Sequence, residues 1–153
     1  MAALRPGGPR ARGADPVAVR GQPVSREWPV RVYVEDTDFG GVVYYANYLR
    51  WFERARTEWL RSKGHSQAAL ARDRGIVFSV VSVQVDYRRP ARLDDALTVT
   101  CEPRADGRAS LRFAQRILRG TELLAQADIR VACLAAGSLR PTRLPDFVIE
   151  EVG

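Results

Sequence analysis

Residues 35–60, EDTDFGGVVYYANYLRWFERARTEWL, pass from an acidic, glycine-hinged turn directly into a long helix, with no spacer between them. Just upstream, Val30, Val32 and Val34 alternate with Arg31, Tyr33 and Glu35, the period of two that marks a half-buried strand. Downstream, Tyr48, Trp51, Phe52, Ala55 and Trp59 recur at spacings of three and four, while Arg50, Glu53, Arg54 and Glu58 fall on the other side. The spacing predicts an amphipathic helix beginning near Tyr45. Asp36, Asp38, Gly40 and Gly41 supply the turn: short carboxylates bond to nearby backbone, and glycine tolerates positive φ. A tight corner is the plain reading. A chemical reading is also open, because the first N–H groups of a helix lack intrahelical acceptors and carry the positive end of its dipole. Asp38 facing them would set a carboxylate opposite donors for a developing oxyanion, the parts that acyl transfer requires.

Working outward, 153 residues with 46% hydrophobic content suit one domain with one core. Residues 1–27 are rich in Gly, Pro, Ala and Arg without apolar period, which predicts a disordered basic leader and a folded domain over 28–153. The leader holds five arginines against two acids, about half of the net charge of +6. No aromatic-basic interleaving accompanies that charge, so nucleic-acid binding is not expected, whereas attraction to anionic phosphates is. The sequence has no apolar run of membrane-spanning length and no apolar stretch after its first arginines, which predicts a cytoplasmic protein without stable membrane insertion. Cys101 and Cys133 fall on the apolar phase of strands and read as buried thiols. With a single histidine, His65, they lack ligand spacing, so neither a metal nor a disulfide is expected.

Beyond the helix, Gln67–Arg72 predicts a short helical turn before Gly75, and Ile76–Arg89 a long strand. Its apolar phase switches from Ile76, Phe78 and Val80 to Val81, Val83, Val85 and Tyr87, which calls for a bulge near Val80 and Val81. Three more strands follow by alternation: Leu97 to Cys101, Leu111 to Ile117, and Leu123 to Cys133. Short turns at Ala105–Arg108 and Arg119–Thr121 make them an antiparallel meander. A small terminal helix is expected within 144–152. The fold class is α+β, five antiparallel strands with one long helix whose aromatic stripe the sheet must cover.

The run Asp36-Thr37-Asp38-Phe39-Gly40-Gly41-Val42-Val43-Tyr44-Tyr45-Ala46-Asn47-Tyr48, with Glu53-Arg54-Ala55-Arg56-Thr57-Glu58 after it, resembles the hallmark of the hotdog-fold acyl-CoA thioesterases. The most similar branches are the 4-hydroxybenzoyl-CoA thioesterases and the tol-pal-associated (YbgC-type) enzymes. A second block, VDYRRPARLDD at 85–95, matches the same family, and the resemblance covers residues 30–144. It implies a hotdog fold, hydrolysis of acyl-CoA to free acid and coenzyme A without cofactor, and a homo-oligomer, either dimer or tetramer. An acyl carrier protein in place of coenzyme A stays open. By motif, Asp38 takes the catalytic role as nucleophile or general base, and the backbone N–H of Tyr45 the oxyanion role. Tyr45 stands where the tol-pal branch usually has histidine and the hydroxybenzoyl branch has tyrosine, so histidine chemistry is not carried over. Gly41, Tyr48, Arg88 and Arg89 are the substrate-binding candidates, the arginines toward coenzyme A phosphates. The rival reading is a non-catalytic acyl-binding or scaffolding protein of an envelope or lipid-synthesis complex.

Overall fold

Strand β1 (Glu27–Arg31) opens the folded part of a computed structural model that describes residues 26–152. Expectations for the leader over 1–25 lie outside the described residues, but Glu27 already pairs with Thr100, so the fold starts one residue before the expected boundary. The strand is also shorter at its far end than the valine alternation suggests. Val32 is fully buried, but Val34 is exposed and opens a single 3-10 turn, Val34–Asp36. Asp36 causes the departure: its Oδ2 accepts the N–H of Tyr33 at 2.8 Å, closing a local ring that competes with the ladder.

Helix α1 (Asn47–Ser62) buries Tyr48, Trp51, Phe52, Ala55 and Trp59, the stripe read from the sequence, and Leu60 beside it. It lies across one face of the sheet, where Trp59 meets Phe113 edge to face with ring centroids 5.6 Å apart. Helix α2 (Gln67–Arg74) is capped at its start by Ser66 Oγ, which accepts the N–H of Ala69 at 3.1 Å. It ends at Gly75, whose φ of 64° gives the left-handed cap.

The sheet then builds from β2 (Ile76–Tyr87), β3 (Ala96–Thr100), β4 (Glu102–Ala105), β5 (Ser110–Arg119) and β6 (Glu122–Ala135). Its order is β1-β3-β5-β6-β2, all antiparallel, with β4 also on β5. Six strands thus occupy five places, because β3 and β4 are one run of chain broken at Cys101. Thr100 Oγ1 takes the N–H of Arg116 at 2.9 Å, and the Cys101 N–H turns to the carbonyl of Arg26 at 2.8 Å. The expected bulge in β2 is present: Val80 pairs with Val131 and Ser82 with Arg130, leaving Val81 over. Cys101 and Cys133 are buried free thiols, and burial pushes Cys101 up to about 12.

A polar link crosses the apolar layer. Gln115, in the core-facing row with Leu111, Phe113 and Ile117, is 1% exposed. Its Nε2 donates to the carbonyls of Phe52 (3.1 Å) and Thr100 (3.3 Å), and its Oε1 accepts from Arg56 Nη1 (2.9 Å). Helix α3 (Asp146–Val152) closes the far end through Val148, with Phe147 stacked on His65 at 3.6 Å. Among the described residues, no helix is long and apolar enough to cross a membrane.

Candidate active site

Asp36 shapes the corner. Its carbonyl accepts the N–H of Tyr44 and the side-chain Nδ2 of Asn47, both at 2.9 Å, which ties the start of the turn to the start of α1. This is the structural role its place in the motif suggests. Between Asp36 and Tyr44 the chain doubles back as a small hairpin. Thr37 bridges Val43, the Asp38 N–H donates to the Val42 carbonyl at 2.9 Å, and the Gly41 N–H donates to the Asp38 carbonyl at 3.0 Å. Gly41 has φ of 77°, a conformation strained for any residue with a Cβ, and open space surrounds it.

That hairpin carries Asp38 to the surface beside the helix entry. Its Oδ1 accepts the N–H of Gly40 at 2.8 Å, which fixes the carboxylate, while Oδ2 has no partner among the described residues. The Tyr44 phenol is raised above its ordinary value, first through Tyr45, then by burial, and last by the charge of Asp38. The Tyr44 and Tyr45 rings lie 4.8 Å apart.

Tyr45 precedes the helix rather than beginning it. The N–H of Asn47 returns to the carbonyl of Tyr44 at 2.9 Å, so a turn intervenes and α1 starts two residues later than the periodicity suggests. Neither the Tyr45 nor the Ala46 N–H has an acceptor among the described residues. Tyr87, at the end of β2, packs edge to face against Tyr45 (6.4 Å) and Tyr48 (5.1 Å) and donates its hydroxyl to the Tyr45 carbonyl at 2.9 Å. The sequence marks Tyr87 as the last apolar residue of a strand and as part of the block at 85–95, without assigning it a place at the site. Those two signals, an aromatic ending the alternation and a place in that block, are what pointed to it.

The remaining candidates divide. Tyr48 is 3% exposed, and its hydroxyl accepts the N–H of Ala91 at 3.0 Å, so it braces the corner from behind. Arg88 and Arg89 follow Tyr87 immediately, and both N–H groups bond to the Leu124 carbonyl (2.8 and 3.1 Å). Their side chains are exposed; Arg89 meets Glu122 at 3.2 Å, while Arg88 has no ion pair among the described residues. Asp38 and Gly41 thus lie on the hairpin that leads to Tyr45 just before α1, Tyr48 is buried in the first turn of that helix, and the two arginines follow Tyr87, which packs on Tyr45 and Tyr48. Among the described residues, the corner offers one carboxylate oxygen without a partner and two N–H donors without acceptors at the positive end of a helix. It is suited to attack on a carbonyl attached to an anionic carrier.

A helix laid across an antiparallel sheet and entered through an acidic hairpin is the hotdog arrangement of thioesterases. Residues 32–152 match the thioesterase-like superfamily, and the chain belongs to it. Within that family it is similar to the acyl-CoA thioesterase YbgC of Haemophilus influenzae, 45% identical over 121 residues, which cover 79% of this chain and 89% of the relative. It is equally similar to the acyl-CoA thioester hydrolase YbgC of Escherichia coli O157:H7, at 46% over 125 residues, with 81% and 92% covered. Among solved structures, a probable thioesterase from Bartonella henselae superposes with a TM-score of 0.74 at 38% identity, covering 78% of this chain and 98% of that one. A 1,4-dihydroxy-2-naphthoyl-CoA thioesterase from Synechocystis superposes with a TM-score of 0.76 at 25% identity, with 82% and 95% covered.

Proposed function

We propose that this protein hydrolyses acyl-CoA thioesters to the free acid and coenzyme A, with Asp38 supplying or activating the attacking oxygen. What supports this reading is that the hairpin closed by Thr37 and Val43 carries Asp38, whose Oδ2 has no partner among the described residues, and leads two residues later to Tyr45, whose N–H has no acceptor among them. As nucleophile, Asp38 adds to the thioester carbonyl and forms an anhydride that water cleaves. As general base, it takes a proton from water that adds instead. In both routes the carbonyl oxygen becomes negative and is met by the Tyr45 N–H, then the C–S bond breaks and coenzyme A leaves as thiolate. Losing one such donor typically costs about 3 to 4 kcal/mol of transition-state stabilisation.

Gly41 keeps the approach to the acyl group open, Arg88 and Arg89 attract the carrier's phosphates, and Tyr48 holds the aromatic wall in place. An acyl carrier protein presents the same phosphopantetheine thioester and is admitted by the same chemistry. The site works in a homo-oligomer, a dimer or tetramer, in the cytoplasm. Support for assembly comes from β2, an edge strand whose Val80, Val81 and Val83 are all more than 40% exposed, and from Phe39 at the hairpin tip, which is fully exposed.

A panel of acyl-CoA and acyl carrier protein thioesters, followed by release of free thiol, tests the reading. Turnover of at least one class is expected. Retained acyl-CoA binding with no hydrolysis across the panel would instead make the protein an acyl-binding scaffold.

A further inference from the structure

The Tyr45 carbonyl is left out of helix α1. The N–H of Leu49 donates to the Ala46 carbonyl instead, at 3.2 Å, and the Tyr45 oxygen takes the Tyr87 hydroxyl at 2.9 Å. That carbonyl belongs to the same planar peptide unit as the N–H of Ala46, which points the opposite way and has no acceptor among the described residues. A group that grips one end of a rigid plane orients the other end. A donor on the carbonyl also withdraws electrons through the amide and strengthens its N–H as a donor, the cooperativity of hydrogen-bonded chains.

We propose that Tyr87 is a positioning residue for thioester hydrolysis: its hydroxyl, acting through the Tyr45 carbonyl, aims and polarises the Ala46 N–H as a second oxyanion donor beside that of Tyr45. The inference rests on the hydrolytic reading above and extends it from one donor to two. The Ala46 backbone is already right-handed helical (φ −69°, ψ −21°), so its N–H and that of Tyr45 issue from one tight turn. Tyr87 is itself held: its ring is wedged edge to face against Tyr45 and Tyr48, at the end of a strand paired to β6 through Tyr87 and Ala125. Burial first, then Tyr48 and Tyr45, pushes the Tyr87 phenol above its ordinary value, so it stays a donor through the neutral range. In the chain O–H to O=C–N–H to oxyanion, no proton changes owner. The phenol strengthens a contact that matters only once the carbonyl oxygen becomes negative, which places its effect in kcat rather than in substrate binding.

The test compares wild type, Tyr87→Phe, wild type with 3-fluorotyrosine in place of tyrosine at position 87 alone, and Asp38→Asn, all assayed on one turned-over acyl-CoA. Tyr87→Phe keeps the ring and removes only the hydroxyl. A fall in kcat of about tenfold is expected, with KM within about twofold and an unchanged melting temperature. The fluorinated phenol, a stronger donor, is expected to match or exceed wild-type kcat. An unchanged kcat in Tyr87→Phe overturns the inference, and so does a rise in KM with a matching loss of melting temperature, which would mark a structural brace. If Asp38→Asn abolishes turnover while Tyr87→Phe does not lower it, only this inference fails. If Asp38→Asn retains full rate while Tyr87→Phe lowers kcat alone, the carboxylate leaves the mechanism and the donor pair stands.

Discussion

The backbone N–H of Gly40 holds Oδ1 of Asp38 at 2.8 Å, so the proposed catalytic carboxylate is oriented by the loop that carries it. A methyl group at Gly40 would lie 3.1 Å from that same oxygen, tighter than ordinary van der Waals contact. The cheapest relief is rotation of the carboxylate, which spoils its aim without disturbing the core. Gly40→Ala is therefore expected to lower kcat by about tenfold. Its melting temperature should stay within about 2 °C of wild type. Steady-state kinetics with parallel thermal melts check both halves.

Gln115 links helix and sheet from within an apolar row of β5, between Phe113 and Ile117. Truncation to alanine leaves the carbonyls of Phe52 and Thr100 and one N–H of Arg56 without their partner. The expected cost is about 3 kcal/mol of unfolding free energy, larger than a surface change gives. Urea denaturation of Gln115→Ala measures it.

Asp95 sets an acid limit. Burial pushes its carboxyl up, but the N–H of Arg92 (2.8 Å) and the guanidinium of Arg119 (2.7 Å) outweigh burial and hold it below the usual carboxylate range. A folded value below the unfolded one means the unfolded chain binds the proton more readily. The stabilisation is therefore complete above about pH 4, the unfolded value, and is lost as pH falls through the lower folded one. The stability deficit of Asp95→Asn against wild type should be complete at pH 6 and shrink as the pH falls below about 4, as urea melts across that range would show.

The helix stripe, the bulge at Val81 and the inward phase of both cysteines were legible because each is a periodic pattern, and burial of one face imposes such periods directly. Local polar competition was not legible. Nothing in the spacing of Val30, Val32 and Val34 reveals that Asp36 will cap the N–H of Tyr33 and end β1 early, or that Thr100 will break β3 from β4. Gln115 interrupts an apolar row and so reads as an exception, although its three hydrogen bonds are what make it tolerable in the core. At the candidate site, the motif singles out Asp38, Gly41 and Tyr45 as neighbours in sequence, whereas Tyr87, in a separate block, reaches Tyr45 from 42 residues away, a contact that only the fold creates.

The exposed valines of β2 bear on assembly. Val81→Lys with Val83→Lys places two charges along the sheet edge without touching the core. The proposed homo-oligomer should dissociate to a folded monomer, seen as a drop in mass by light scattering with unchanged far-UV circular dichroism. Loss of turnover should accompany it. A monomeric wild-type protein would remove assembly from the account.

The most direct measurement is the rate of thiol release by Asp38→Asn on an acyl-CoA that the wild type turns over. Asparagine keeps the size and the bond from Gly40 while removing the charge, so it can neither attack the thioester nor take a proton from water. A fall in kcat of about a thousandfold or more is expected, with the fold intact by circular dichroism. A variant that hydrolyses the substrate at the wild-type rate would contradict the assignment of Asp38 and with it the proposed chemistry of the corner.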